Sequence, residues 1–160
     1  MNKALFLDRD GVLNRERSRY TYSLDDFEVL ADVSKSLQLA LQKGYLLIVI
    51  SNQGGVAKQV FTAERVEELH AILTSTLAKD GVHFNEVYYC RHHDEVGKCI
   101  CRKPDSLMLE KAMARFNIDP KLSLMIGDSP RDVEAATKAG IKGHLIDSNS
   151  GILEIVKQLK

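Results

Sequence analysis

Four places along this chain carry side chains whose types and spacing suit chemistry. Asp8-Arg9-Asp10-Gly11-Val12-Leu13-Asn14 sets two carboxylates two residues apart, ahead of a Gly that permits a sharp turn. One such carboxylate suits a nucleophile and metal ligand, and the other a proton donor. Ser51-Asn52-Gln53-Gly54-Gly55 offers a hydroxyl and backbone N–H groups to an anion. Cys90-x-His92 and Cys99-x-Cys101 run into Arg102-Lys103-Pro104, and Gly127-Asp128 is followed by Asp132. Three thiolates and an imidazole fill the four positions of tetrahedral Zn²⁺, which makes a closed, structural site. His93 competes with His92 as the imidazole. Three cysteines, all within residues 90–101, are an odd number and so argue for metal over a disulfide framework.

These groups need elements to position them. Ala4 to Leu7 is a short apolar run ending at Asp8, and Tyr45 to Ile50 is apolar on both faces and ends at Ser51, as buried parallel strands do. Glu86 to Tyr89, Leu122 to Ile126 and His144 to Ile146 complete five expected strands. Between them, Val33, Leu37, Ala40 and Leu41 mark a helix over Asp32 to Lys43, and Thr62 caps one reaching Lys79. Helices are also expected over Ser106 to Phe116, Arg131 to Ala139 and Ile152 to Leu159. Alternating strands and helices predict an α/β fold: a Rossmann-like, doubly wound, mostly parallel sheet with helices on both faces. Strand carboxyl ends share one edge of such a sheet, so Asp8, Asp10, Ser51, Cys90 and Asp128 should meet there. No linker or repeat divides the chain, and residues 1–160 are expected to form a single domain. The polar stretch Arg15 to Asp26 reads as a long loop.

Composition excludes several classes. The 160 residues are 44% hydrophobic and 28% charged, with formal net charge zero, so nothing global attracts nucleic acid or an acidic membrane surface. No apolar run nears the roughly 20 residues needed to span a bilayer. A cytoplasmic monomer with neither nucleic-acid nor membrane partners is expected.

In its four motifs, Asp8-x-Asp10-Gly11-Val12-Leu13, Ser51-Asn52, Lys103-Pro104 and Gly127-Asp128-x-x-x-Asp132, the chain resembles the haloacid dehalogenase-like phosphatases. The resemblance implies that Asp8 attacks phosphorus to form an aspartyl-phosphate and that Asp10 is the general acid and base. It implies Mg²⁺ held by Asp8, Asp128 and the Asp10 backbone carbonyl, with Ser51 and Lys103 on the phosphoryl oxygens. Mg²⁺ prefers oxygen ligands and keeps several waters, so two carboxylates suffice. Asp132 is placed to orient Lys103 or the metal waters, or to serve as a helix N-terminal acid.

The Cys/His segment running straight into Arg102-Lys103-Pro104 resembles a zinc-containing group within that superfamily. Its Cys-x-His pattern favours His92 over His93, giving Cys90, His92, Cys99 and Cys101 as ligands. Neither gap between motifs has room for a cap domain, so loops must set specificity. The expected substrate contacts are Asn14, Glu16 and Arg19 in the first loop and Ser51, Asn52, Gln53 and Gly54 after the second strand. Arg102 and Lys103 complete them, with Arg15 and Arg17 as possible helpers. The substrate implied is a small phosphorylated sugar, the C7 phosphate of heptose 1,7-bisphosphate, with the amino-alcohol ester histidinol phosphate as alternative. A polynucleotide 3′-phosphatase fits the zero net charge and zinc loop poorly. A silent zinc-stabilised binding module fits the intact Asp8, Asp10, Lys103 and Asp128 poorly.

Overall fold

The computed structural model describes residues 1–160. Five strands, β1 (Lys3–Leu7), β2 (Tyr45–Asn52), β3 (Glu86–Cys90), β4 (Leu124–Gly127) and β5 (Lys142–Leu145), form one sheet in the order β3-β2-β1-β4-β5. Every pairing is parallel. The chain winds outward from β1 through β2 to β3, then crosses back to β4 and on to β5. The winding reverses between β1 and β4, where ligands settle in open sheets of this kind.

Strand side chains alternate between two cores. Leu5, Leu7, Leu47 and Val49 face one side and pack on α1 (Val33–Gln42), α2 (Ala63–Ala78) and α5 (Leu153–Lys157). Ala4, Phe6, Ile48 and Ile50 face the other and pack on α3 (Leu107–Phe116) and α4 (Pro130–Lys138). Strands buried on both faces are why their sequences read as continuous apolar runs. Thr62 caps α2 as expected, its hydroxyl accepting the Arg65 N–H at 3.2 Å.

Two strands begin elsewhere than the sequence suggests. Leu122 belongs to a single 3₁₀ turn, Pro120–Leu122, whose start is capped by Asp119, and Leu122 is left 54% exposed; β4 therefore starts at Leu124. The last strand covers Lys142–Leu145, two residues earlier than its apolar letters indicate. Gly143 is in contact distance of α4: a Cβ there would lie 2.9 Å from the Val133 Cα. Only a loop joins β1 to α1, and only α2 with its loops joins β2 to β3, so no cap domain interrupts the sheet edge. No helix is long and apolar enough to cross a membrane.

Candidate active site

The carboxyl ends of β1, β2 and β4 and the segment after β3 surround a cavity of about 470 Å³. Asp8, Asp10, Glu16, Arg19, Asn52, Gln53, Gly54, Arg102, Lys103 and Asp128 line it. Asn14 and Ser51, expected at the substrate, are instead buried behind the wall. Arg15 and Arg17 fold back onto Glu28, at 2.8 and 3.0 Å, and stay out of the cavity.

Lys103 is the electrostatic centre. It is 1% exposed, and its ammonium meets Asp8 Oδ1 at 2.9 Å, Asp132 Oδ1 at 2.6 Å and the Ile50 carbonyl at 2.7 Å. A lysine so buried stays charged only if carboxylates surround it. Burial opposes its charge, but Asp8 and Asp132 outweigh that and raise its pKa. Asn52 fixes the backbone of the same residue, accepting the Lys103 N–H at 3.0 Å and donating to its carbonyl at 2.9 Å. Asp132 also accepts the Ser129 N–H at 3.0 Å, so it both anchors Lys103 and caps α4. Gly127 makes this possible, because a Cβ there would lie 2.2 Å from that of Asp132.

The two carboxylates of the first motif sit in unlike surroundings. Burial pushes Asp8 up to about 7; Lys103 pulls it down, and Asp132 pushes it further up. Asp10 is half-buried, which also pushes it up, yet Arg9 and hydrogen bonds from Asn14 and Gln53 hold it below the usual carboxylate range. One Arg9 Nη2 lies 2.9 Å from both Asp10 oxygens, Asn14 Nδ2 donates at 2.9 Å and Gln53 Nε2 at 3.0 Å. The same Gln53 amide reaches Ser51 Oγ at 2.8 Å and so ties the second strand end to Asp10.

Asp8, Asp128 and Asp132 place carboxylate oxygens within 4.8 Å of one another, with Lys103 the one cation among them. Burial likewise raises Asp128, whose Oδ2 accepts a hydrogen bond from Ser148. An all-oxygen set short of positive charge fits a hard divalent cation, which would draw Asp8 and Asp128 back to the ionised form. Gly11 clears the space: its φ is +81°, and a Cβ would stand 2.0 Å from Asp128 Oδ2.

At the end of β3 and in the segment that follows, Cys90, His92, Cys99 and Cys101 bring their donor atoms within 4.8 Å of one another. Cys90 Sγ lies 3.1 Å from Cys101 Sγ, 3.7 Å from Cys99 Sγ and 3.5 Å from His92 Nδ1, which is 3.3 Å from Cys101 Sγ. Zinc bond lengths imply separations of about 3.8 Å between sulfurs and about 3.5 Å between sulfur and nitrogen in a tetrahedral site. Cys90–Cys99 and Cys90–His92 match these, Cys101 stands closer to both Cys90 and His92, and the type and number of donors suit Zn²⁺. His93 stands outside the cluster, near Gly54, where a Cβ would meet its ring at 2.7 Å. Arg102 donates to the His92 carbonyl at 3.1 Å, which binds the cluster to the cavity wall.

Four contributors escape motif reading. Arg9 occupies the position between the two motif aspartates, yet it is fully buried and leaves Nε and Nη1 unpartnered. Ser148 and Asn149 come from the loop after β5. Asn149 binds the backbone of Glu16 at 2.7 and 3.0 Å and so holds the first loop in place. Arg131 reaches the cavity from the start of α4. Only the basic letter Arg131, beside the Asp128 motif, carried a readable signal.

Residues 100–154 match the HAD-hydrolase-like family model. A Haemophilus ducreyi protein named D-glycero-beta-D-manno-heptose-1,7-bisphosphate 7-phosphatase is 40% identical over 88% of this chain and 80% of its own length. The protein of the same name from Haemophilus influenzae is 38% identical over 91% of this chain and 82% of its own. Among solved structures, D,D-heptose 1,7-bisphosphate phosphatase from B. bronchiseptica, complexed with magnesium and phosphate, superposes with a TM-score of 0.87. It is 25% identical, over 98% of this chain and 97% of that one. With the catalytic constellation assembled at the sheet edge and relatives of this identity spanning most of both chains, this chain belongs to the HAD-like hydrolase family.

Proposed function

We propose that this chain is a Mg²⁺-dependent phosphomonoesterase that removes the C7 phosphate of D-glycero-D-manno-heptose 1,7-bisphosphate through an aspartyl-phosphate on Asp8. The observation that carries the chemistry is the juxtaposition of Asp8, Lys103, Asp132 and Asp128 at the end of β1 and β4. The names of the relatives support the substrate. When bound by Asp8, Asp128 and the Asp10 carbonyl, Mg²⁺ supplies charge neutralisation to the phosphoryl oxygens.

Lys103 adds a fixed positive charge beside the attacking oxygen. An Asp8 carboxylate oxygen bonds to phosphorus as the bond from phosphorus to the ester oxygen breaks. Asp10 gives that departing oxygen its proton. The incoming phosphate dianion raises the proton affinity of Asp10, offsetting the pull of Arg9. Asp10, now ionised and again held by Arg9, Asn14 and Gln53, takes a proton from water. That water bonds to phosphorus, releasing phosphate and regenerating Asp8. Asn52 and Gln53 act as positioning residues, one for Lys103 and one for Asp10 and Ser51.

Zn²⁺ held by Cys90, His92, Cys99 and Cys101 is structural in this reading, fixing Arg102 and Lys103 at the wall. In this reading the enzyme acts as a monomer.

The test is kcat/KM on heptose 1,7-bisphosphate and on histidinol phosphate with Mg²⁺. The bisphosphate should be favoured by about tenfold or more, or about 1.4 kcal/mol in transition-state binding. A tenfold preference for histidinol phosphate would overturn the substrate.

A further inference from the structure

A substrate with two phosphates needs a cation apart from those at the reacting one. Four lysine or arginine side chains reach the cavity: Arg19, Arg102, Lys103 and Arg131. Three already answer a carboxylate. Lys103 is held by Asp8 and Asp132, Arg19 by Asp26 at 2.9 Å, and Arg102 approaches Asp94 at 3.6 Å while donating to the His92 carbonyl. Arg131 differs. Its Nε donates to the neutral Ser129 hydroxyl at 3.1 Å, and it makes no ion pair. The side chain is exposed at the cavity rim.

Its place in the fold deepens the asymmetry. Arg131 lies in the first turn of α4, where a cation adds to the positive end of the helix dipole. The acid that could offset it, Asp132, is turned inward onto Lys103 and the Ser129 N–H. Arg131 therefore has no carboxylate partner of its own. With Nε anchored on Ser129, the two terminal nitrogens form a fork suited to bidentate contact with phosphate.

We propose that Arg131 is the specificity-determining residue for the second phosphate, binding the distal phosphate of a sugar bisphosphate whose other phosphate lies at Asp8. The inference rests on the bisphosphate reading above and names the residue that enforces it. Arg131 touches no reacting atom and acts on binding. Of the more obvious cluster by sequence, Arg15 and Arg17 are turned away onto Glu28, and Arg19 lines the cavity but is paired with Asp26.

The experiment compares wild type, R131Q and R131K, in zinc- and magnesium-loaded form, on heptose 1,7-bisphosphate and heptose 7-phosphate. A charged hydrogen-bonded contact of this kind sets a discrimination of about tenfold to a hundredfold. In wild type, KM should favour the bisphosphate by that margin; in R131Q the ratio should collapse toward one, mainly through KM for the bisphosphate, and R131K should restore part of it. A ratio in R131Q within about twofold of wild type would overturn the inference and leave the substrate reading intact. So would an equal rise in KM for both compounds, which would mark Arg131 as general scaffold. If wild type turns over neither heptose ester, the substrate reading fails, and inhibition of p-nitrophenyl phosphate hydrolysis decides for Arg131. Stronger inhibition by fructose 1,6-bisphosphate than by fructose 6-phosphate, lost in R131Q, would support it; equal inhibition of wild type by the two would overturn it.

Discussion

The catalytic edge and the Cys/His segment lie side by side but are held together in opposite ways. At the edge, Asp8, Asp10, Asn52, Asp128 and Asp132 arrive from residues far apart in sequence, and sheet register brings them into one place. Two apolar cores stand directly beneath. The Cys/His segment draws all four donors from residues 90–101; its three cysteines touch the second core, but the loop between them exposes Val96 at 62% and Ile100 at 74%. One region is organised by the whole fold; the other, in the proposed reading, by the metal its four donors would hold. They meet at Arg102-Lys103, which follows Cys101 directly and ends at Asp8. The difference teaches that this one cation is positioned from both sides.

Breaking the junction should give the largest effect. Lys103→Met removes the charge beside Asp8 and leaves Asp132, 1% exposed as a side chain, without its partner. Turnover should fall by about 10²–10³-fold, and stability by about 3 kcal/mol, measured by kinetics and thermal melts. Full stability with unchanged turnover would show that the cation serves neither region.

Next is the Cys/His side, which the proposed zinc would hold. Stripping zinc with a chelator and resupplying Mg²⁺, or replacing Cys101 with Ser, should lower Tm and activity together, because binding free energy of such a site is folding free energy. Burial pushes the Cys90 thiol up, so without a cation that thiol stays protonated. Metal analysis of purified protein should find one zinc per chain. Protein free of zinc with an unchanged Tm would refute the contrast between the two regions.

The smallest effect probes the fold-held side. His70 of α2 is 6% exposed, packs edge-on to Tyr89 and leaves Nε2 unpartnered. Burial first, then Arg9, hold its pKa down at about 3. Since the folded pKa is depressed, the unfolded chain binds the extra proton between pH 6.5 and 3. The stability tied to His70 is complete above pH 6.5 and is lost as pH falls, by about 2 kcal/mol at pH 5. His70→Phe should flatten the acid limb of a stability curve between pH 6.5 and 5; an unaltered slope would contradict the burial account.

Much of this was readable in the letters, for physical reasons. The Ala4–Leu7 and Tyr45–Ile50 runs announce buried parallel strands because both faces are covered. Asp8, Asp10, Asp128 and the Cys/His donors announce themselves through types rarely clustered without a task. Less legible were contributions that depend on tertiary pairing. Leu122 is apolar but exposed, since Asp119 and Pro120 start a turn there. Asn14 reads as a loop residue at the substrate, but its amide belongs to Asp10. Arg9 hides as the unspecified letter of its motif. Ser148 reaches Asp128 because the loop after β5 returns to the first motif, the Asn149 N–H bonding the Gly11 carbonyl at 2.8 Å.

The central claim is that phosphorus is transferred to Asp8, and the most direct measurement is the turnover of Asp8→Asn, with fold verified by circular dichroism and zinc by metal analysis. The side chain keeps its shape and loses its nucleophilic charge. The account predicts a loss of about 10³-fold or more in kcat with both controls at wild-type values; an Asp8→Asn enzyme within about tenfold of wild type would contradict it.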